Sequence, residues 1–145
     1  MILFSSVLEF EVNKKNIMNN LIIDAANKKI FLMLIKDKNI YSASHENSKT
    51  NYEKLTILIN DFLKINDLKI SQISKLYVNR GPGSFAGIRN SLAVVKAINM
   101  VKKIDYYCFS FSDFDQSENN SYENVPFLCD KLRIKKNLIK PIYIS

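Results

Sequence analysis

The sequence predicts one α/β domain on a mixed sheet, in the element order βββαβαβ. Three observations carry this. Short apolar segments crowd residues 21–44, a helical period takes over at Thr50, and two later apolar segments flank a second helical stretch. "LIIDA" (Leu21–Ala25), "KIFLMLIK" (Lys29–Lys36) and "IYSAS" (Ile40–Ser44) read as a three-strand meander, with "DK" and "N" marking its second turn. Leu55, Leu58, Ile59, Phe62 and Leu63 then fall at i, i+3, i+4, i+7 and i+8, which predicts a helix over 51–65. Thr50 or Asn51 can cap it, with Glu53 in the first turn. "KLYVN" (Lys75–Asn79) is a fourth strand. A helix follows over 84–101, with Phe85, Ile88, Leu92, Val95 and Ile98 or Asn99 along one side. "DYYCFSF" (Asp105–Phe111) is the fifth strand. Helical crossovers before and after the fourth strand imply parallel strands beside the antiparallel meander.

The remaining chain divides by composition. Residues 1–19 precede the regular pattern and read as a leader, either disordered or a misassigned start; 20–111 form the domain. Residues 112–124, "SDFDQSENNSYEN", read as a mobile acidic linker. Residues 125–145 hold "VPFLCD" and "LIKPIYIS", two short strands expected to fold back over the sheet, with Pro126 and Pro141 confining them to edges or strand starts.

With 145 residues, 47% of them hydrophobic and 24% charged, the chain is globular. Its net charge of +7 invites a nucleic-acid reading, but 18 of its 21 basic residues are Lys, and Lys, Asn and Ile together make up 54 positions. Those residues have A/T-rich codons, so the charge reads as genomic drift onto solvated faces; Arg, the better reader of bases and phosphates, is scarce. Cys108 and Cys129 have no zinc or C-x-x-C spacing and sit among apolar residues, as buried small hydrophobes do. No apolar run approaches the ~20 residues of a membrane span, and the chain reads as cytoplasmic.

All three glycines, Gly81, Gly83 and Gly87, fall in "NRGPGSFAGIRNSLAVVKA". A glycine-rich turn between strand and helix is a common phosphate site, yet the known fingerprints fail. No glycine stands at 82 and no Lys follows Gly87, which removes Walker A. Ala86 occupies the third position of G-x-G-x-x-G, and Pro82 and Ala86 flank Ser84 where a nucleophile elbow needs glycines. The one histidine, His45, lies in a loop-like stretch. Ser84 therefore reads as a helix cap after a sharp turn at Gly81 and Pro82. Gly83, Gly87 and Ser91 recur every four residues, a small-residue strip that lets another helix, or the protein's own sheet, approach closely.

"NRGPGSFAGIRNSLAVVKAINM" resembles the G-R-G-P-G-S-[FY]-T-G-[LIV]-R-x-[GS]-x-[AG]-x-[AG]-K-[AG] hallmark of the TsaB/YeaZ family, the bacterial companion subunit of the tRNA threonylcarbamoyladenosine machinery. "LIIDAANKKIFLMLI" resembles that family's first two strands, "NYEKLTILINDFL" its H-S-E-x-L-L-P helix, and "KPIYIS" its terminal P-[LIV]-Y-[LIV]-R, so the resemblance covers about residues 20–111 and 138–145. It implies a ribonuclease-H-like lobe of the actin, sugar-kinase and heat-shock-ATPase superfamily. It also implies a non-catalytic subunit without cofactor. Such a subunit pairs through first-lobe helices with a catalytic TsaD-type threonylcarbamoyltransferase acting on adenosine 37, alongside a TsaE-type ATPase; ATP and metal serve those partners, and tRNA is met through the complex. A homodimer is one candidate state of the isolated chain, and the sequence does not decide it.

The motif residues carried over, expected to line the interface with the partner subunit, are Arg80, Gly81, Pro82, Gly83, Ser84, Phe85, Gly87, Ile88, Arg89 and Ser91. Several positions depart from the pattern. Asn51 stands where the family has His, Ala86 where it has Thr, and residues 125–145 leave only a remnant of a second lobe. Asp24 stands where superfamily ATPases place an Asp beside phosphate loops and metal; with no glycine near it, it reads as vestigial or as a turn residue. Two alternatives are a nucleotide-binding or hydrolase-like protein and a basic tRNA-binding module.

Overall fold

The computed structural model describes residues 17–115 and 120–143. A five-stranded sheet, β1 (Asn19–Asp24), β2 (Lys29–Lys36), β3 (Asn39–Glu46), β4 (Lys75–Asn79) and β5 (Asp105–Phe109), runs in the spatial order β3-β2-β1-β4-β5. The first three strands are antiparallel, and β4 and β5 lie parallel to β1 and to each other. Short turns make the antiparallel pairs. The parallel ones need crossovers, which α1 (Lys49–Glu53), α2 (Leu55–Ile65) and α3 (Phe85–Lys102) supply. A fourth helix, α4, spans Val125–Lys131.

Alternation sorts the strand residues onto two faces. Leu21, Ile23, Leu32, Leu34, Leu76 and Val78 meet Leu55, Ile59, Phe62 and Leu63 of α2 and Ile88, Leu92 and Val95 of α3 in the larger core. Ile22, Tyr77 and Phe109 face the other way, onto Phe114 and onto Val125, Leu128 and Cys129 of α4.

Several expectations change in detail. Strand β1 starts at Asn19, whose amide donates to Ser74 Oγ (2.9 Å), so the last residue of the expected leader lies in the sheet; residues 1–16 lie outside the described residues. His45 is not in a loop: β3 continues to Glu46, with His45 opposite Ile30. The helix expected over 51–65 breaks at Lys54. It is opened by Ser48, whose Oγ accepts from the Asn51 amide (3.3 Å), rather than by Thr50 or Asn51.

The largest correction concerns residues 125–129, expected as a strand and found as a helix. Pro126 sits in its first turn, where no backbone donor is needed. Helical spacing then puts Val125, Leu128 and Cys129 on one side. Residues 138–143 join no strand ladder; the Ile142 amide donates to Arg80 O (2.7 Å). The tail does fold back over the sheet. The described ends of the expected linker are packed as well: Phe111–Asp113 and Tyr122–Asn124 form single 3-10 turns, and Phe114 is buried. Residues 116–119 lie outside the described residues.

Candidate functional site

The turn from β4 into α3 is set by its glycines and then filled by the protein itself. Gly81 has φ +106°, a conformation L side chains rarely adopt, and a Cβ there would overlap the Ile142 carbonyl oxygen. Gly87 lies in the first turn of α3, where a Cβ would overlap the Ala25 carbonyl at the end of β1. Gly83 stands against Ala26, whose carbonyl accepts from the Ser84 amide (2.8 Å). Ser91 is fully buried and its hydroxyl donates to Ile88 O (3.0 Å). The small strip is therefore packed internally, against the β1–β2 turn at Gly83 and Gly87.

Ser84 caps α3, its Oγ accepting from the Gly87 amide (3.2 Å). Arg80 is a staple. Its guanidinium grips both Asp113 oxygens (2.5 and 3.2 Å) and donates to Lys140 O (3.1 Å), tying the motif to the turn after β5 and to the tail. Ile88 is buried. Pro82, Phe85 and Arg89 are exposed, and the Phe85 ring meets Tyr143 (centroids 4.8 Å apart).

Asp24 is fully buried at the end of β1 and accepts from four donors: the Ala26 amide (2.9 Å), Asn27 Nδ2 (3.2 Å), Asn79 Nδ2 (2.9 Å) and Tyr122 Oη (2.5 Å). Asn79 Oδ1 in turn accepts from the Gly81 amide (2.9 Å), which links the carboxylate to the glycine turn. Burial and then the Asp24 charge push the Tyr122 phenol well above its ordinary value, so it stays a donor. No group of three or more His, Cys, Asp or Glu side chains among the described residues is arranged to hold a metal.

Sequence reasoning missed Asn79 and Tyr122, because a single polar residue at a strand end or in an acidic stretch carries no periodic signal. It also missed the outer surface of the helices. A groove of about 380 Å³ runs between α2 and α3, lined by Thr56, Ile59, Ala93, Val94, Ala97 and Val101 among others. Val101 is 75% exposed, and the same helices also expose Ile57, Ile65 and Met100. The signal for it was present: Ala93, Ala97 and Val101 recur every four residues, on the side of α3 away from Ile88, Leu92 and Val95.

No family model matches the chain. It is 34% identical over 68 residues, 41% of its length, to the tRNA threonylcarbamoyladenosine biosynthesis protein TsaB of Buchnera aphidicola subsp. Baizongia pistaciae. The matched part is 31% of that relative, so the chain spans about a third of it. The solved structure of YeaZ from Pseudomonas aeruginosa superposes with a TM-score of 0.60 at 19% identity, covering 64% of this chain and 44% of that one. A second structure, described as an uncharacterized protein with similarity to peptidase YeaZ from the same organism, gives the same TM-score and covers 43% of that chain. The chain resembles the TsaB/YeaZ family. The fold it shares with the YeaZ structures is ribonuclease-H-like. No described helix is long and apolar enough to cross a membrane.

Proposed function

We propose that this chain is a non-catalytic subunit of the tRNA threonylcarbamoyladenosine machinery, and that it pairs through α2 and α3 with a homologous TsaD-type catalytic subunit. The observation that carries the reading is the groove between those helices. Its apolar lining is unusual on a surface meant to stay in water, and the small side chains Ala93 and Ala97 let a partner helix approach closely.

The rest of the site favours a supporting role. Where a phosphate loop would need open backbone, the Ile142 and Ala25 carbonyls occupy the space beside Gly81 and Gly87. The Asp24 carboxylate is taken up by four donors rather than held open for a metal. A TsaE-type ATPase and the tRNA would then join through the complex, and the work would be done in the cytoplasm.

The test is co-purification of the full chain with the TsaD-type subunit of the same cell. Ala97→Glu puts a charge in the groove and is expected to abolish pairing while the thermal melt stays within about 1 °C of wild type, as surface substitutions usually allow. Normal pairing by that variant would remove the groove from the interface.

A further inference from the structure

Genomic drift explains why Lys is common but not where the net charge sits. Residues 131–140, "KLRIKKNLIK", contain Lys131, Arg133, Lys135, Lys136 and Lys140 and no Asp or Glu. Ten residues thus carry five of the chain's seven net positive charges, leaving +2 for the other 135. Drift adds Lys everywhere; it does not empty one segment of acids.

The structure fixes this segment in place. The Ile134 amide donates to Cys129 O (3.0 Å) and the Asn137 amide to Tyr106 O (2.8 Å). Asn137 Oδ1 accepts from the Tyr106 amide (2.9 Å), and Arg80 holds Lys140 O. The backbone is anchored at both ends and in the middle while its cations point outward: Arg133, Lys135, Lys136 and Lys140 are all exposed. Lys136 reaches Asp105 (3.4 Å); Arg133, Lys135 and Lys140 form no ion pair among the described residues. Beside them, Arg133 shares a cleft of about 290 Å³ with Lys75, Tyr77, Tyr107 and Asp130, and Lys75 Nζ lies 5.7 Å from the Tyr107 ring centre. The carboxylates at this edge are Asp105, engaged by Lys136 and Asn137, Asp113, gripped by Arg80 in a cleft that Lys135 and Lys140 also line, and Asp130. An anchored row of cations beside a Lys- and Arg-rimmed aromatic cleft suits a phosphate backbone, because ordering it costs little further entropy when the polyanion arrives.

We propose that residues 131–140 form an RNA-backbone surface, by which this subunit itself touches the tRNA whose modification it supports. The choice of tRNA rests on the function proposed above; the existence of the surface rests on charge and anchoring alone.

The experiment is fluorescence anisotropy of labelled, unmodified tRNA transcript with the purified full chain between 50 and 200 mM salt. Binding is expected to weaken steeply with salt. Arg133→Gln/Lys135→Gln/Lys140→Gln should lower affinity at least tenfold at about 100 mM salt and reduce the log–log salt slope by about 2–3, roughly one for each phosphate left without its cation. Lys28→Gln/Lys38→Gln/Lys54→Gln removes the same charge elsewhere and should change affinity less than twofold. No wild-type binding, equal weakening in both triples, or equally tight binding of a duplex DNA of matched length would overturn the proposal. Pairing with the catalytic subunit is read separately by co-purification. An inert tail therefore leaves the pairing function standing, and a failed pairing leaves the RNA surface standing.

Discussion

On one face of the sheet, α2 and α3 lay long amphipathic stripes over Leu21, Ile23, Leu76 and Val78. On the other, a seven-residue helix and two single turns hold Phe114, Val125, Leu128 and Cys129 over Ile22, Tyr77 and Phe109. The first cover is regular and presents a second apolar surface outward. The second is irregular, ringed by aromatic contacts such as Phe111–Tyr122 (5.2 Å) and Phe31–Tyr122 (4.4 Å), and runs on into exposed cations. One face thus carries a further apolar surface outward; the other is closed by the chain's own tail. Each substitution below bears on that contrast.

Gly87→Leu should have the largest effect. The new side chain meets the Ala25 backbone, which cannot retreat without opening the end of β1. We expect a loss above about 4 kcal/mol, a large part of a total stability of about 5–15 kcal/mol, seen as loss of the cooperative melt. A folded variant that fails only in pairing would instead turn the strip outward and erase the distinction between the faces.

Removing residues 120–145 comes next. Burying a Val or Leu side chain is worth about 1.5–3 kcal/mol, so losing Val125 and Leu128 alone should cost about 3–6 kcal/mol. The stripped chain should bind a hydrophobic dye and aggregate. In the intact chain, amide exchange at Leu128 and Cys129 should be slow, and fast exchange there would mean the tail covers nothing.

Tyr122→Phe keeps the ring packing and deletes one hydrogen bond to a buried carboxylate. Such bonds contribute about 1.5–3 kcal/mol, and urea denaturation should report a loss in that range. An unchanged midpoint would remove Tyr122 from the closure of that face.

The smallest effect is on pH dependence. Burial pushes the Cys129 thiol up to about 12 and Cys108 up to about 11. The folded chain therefore keeps these protons where the unfolded chain, with thiols near 8.5–9, has released them. Stability should be flat below about pH 8 and fall as pH rises from about 9 towards 12. Cys129→Val should lessen that fall without removing it, since Tyr77 and Tyr122 are shifted the same way.

The contrast between faces also marks what was legible. Short apolar runs closed off by polar residues marked β2 and β4 to the residue, and period 3.6 marked the buried side of α2, because it repeats over several turns. The Ser84 cap was readable from its place before a helical run. Residues 125–129 were not readable as helix: five residues are too few for a period to appear, and Pro126 suits a strand start as well as a first helical turn. Phe85 was placed with the buried residues of α3, yet it is 57% exposed and meets Tyr143 from the far end of the chain. The fourfold bonding of Asp24 was illegible for the same reason, since two of its donors come from Asn79 and Tyr122.

Those donors also differ in when they exist. Ala26 and Asn27 follow Asp24 at once, Asn79 stands 55 residues on and Tyr122 98 residues on. At synthesis rates of about 5–20 residues per second, the last donor emerges about 5–20 s after the carboxylate it completes. Strands pair far faster than that, in about 1–10 μs for a hairpin, so β1 and β2 can be joined while Asp24 is still hydrated. A nascent chain halted before residue 122 holds a wet charge at the end of its central strand, and dehydration of that face keeps time with the ribosome.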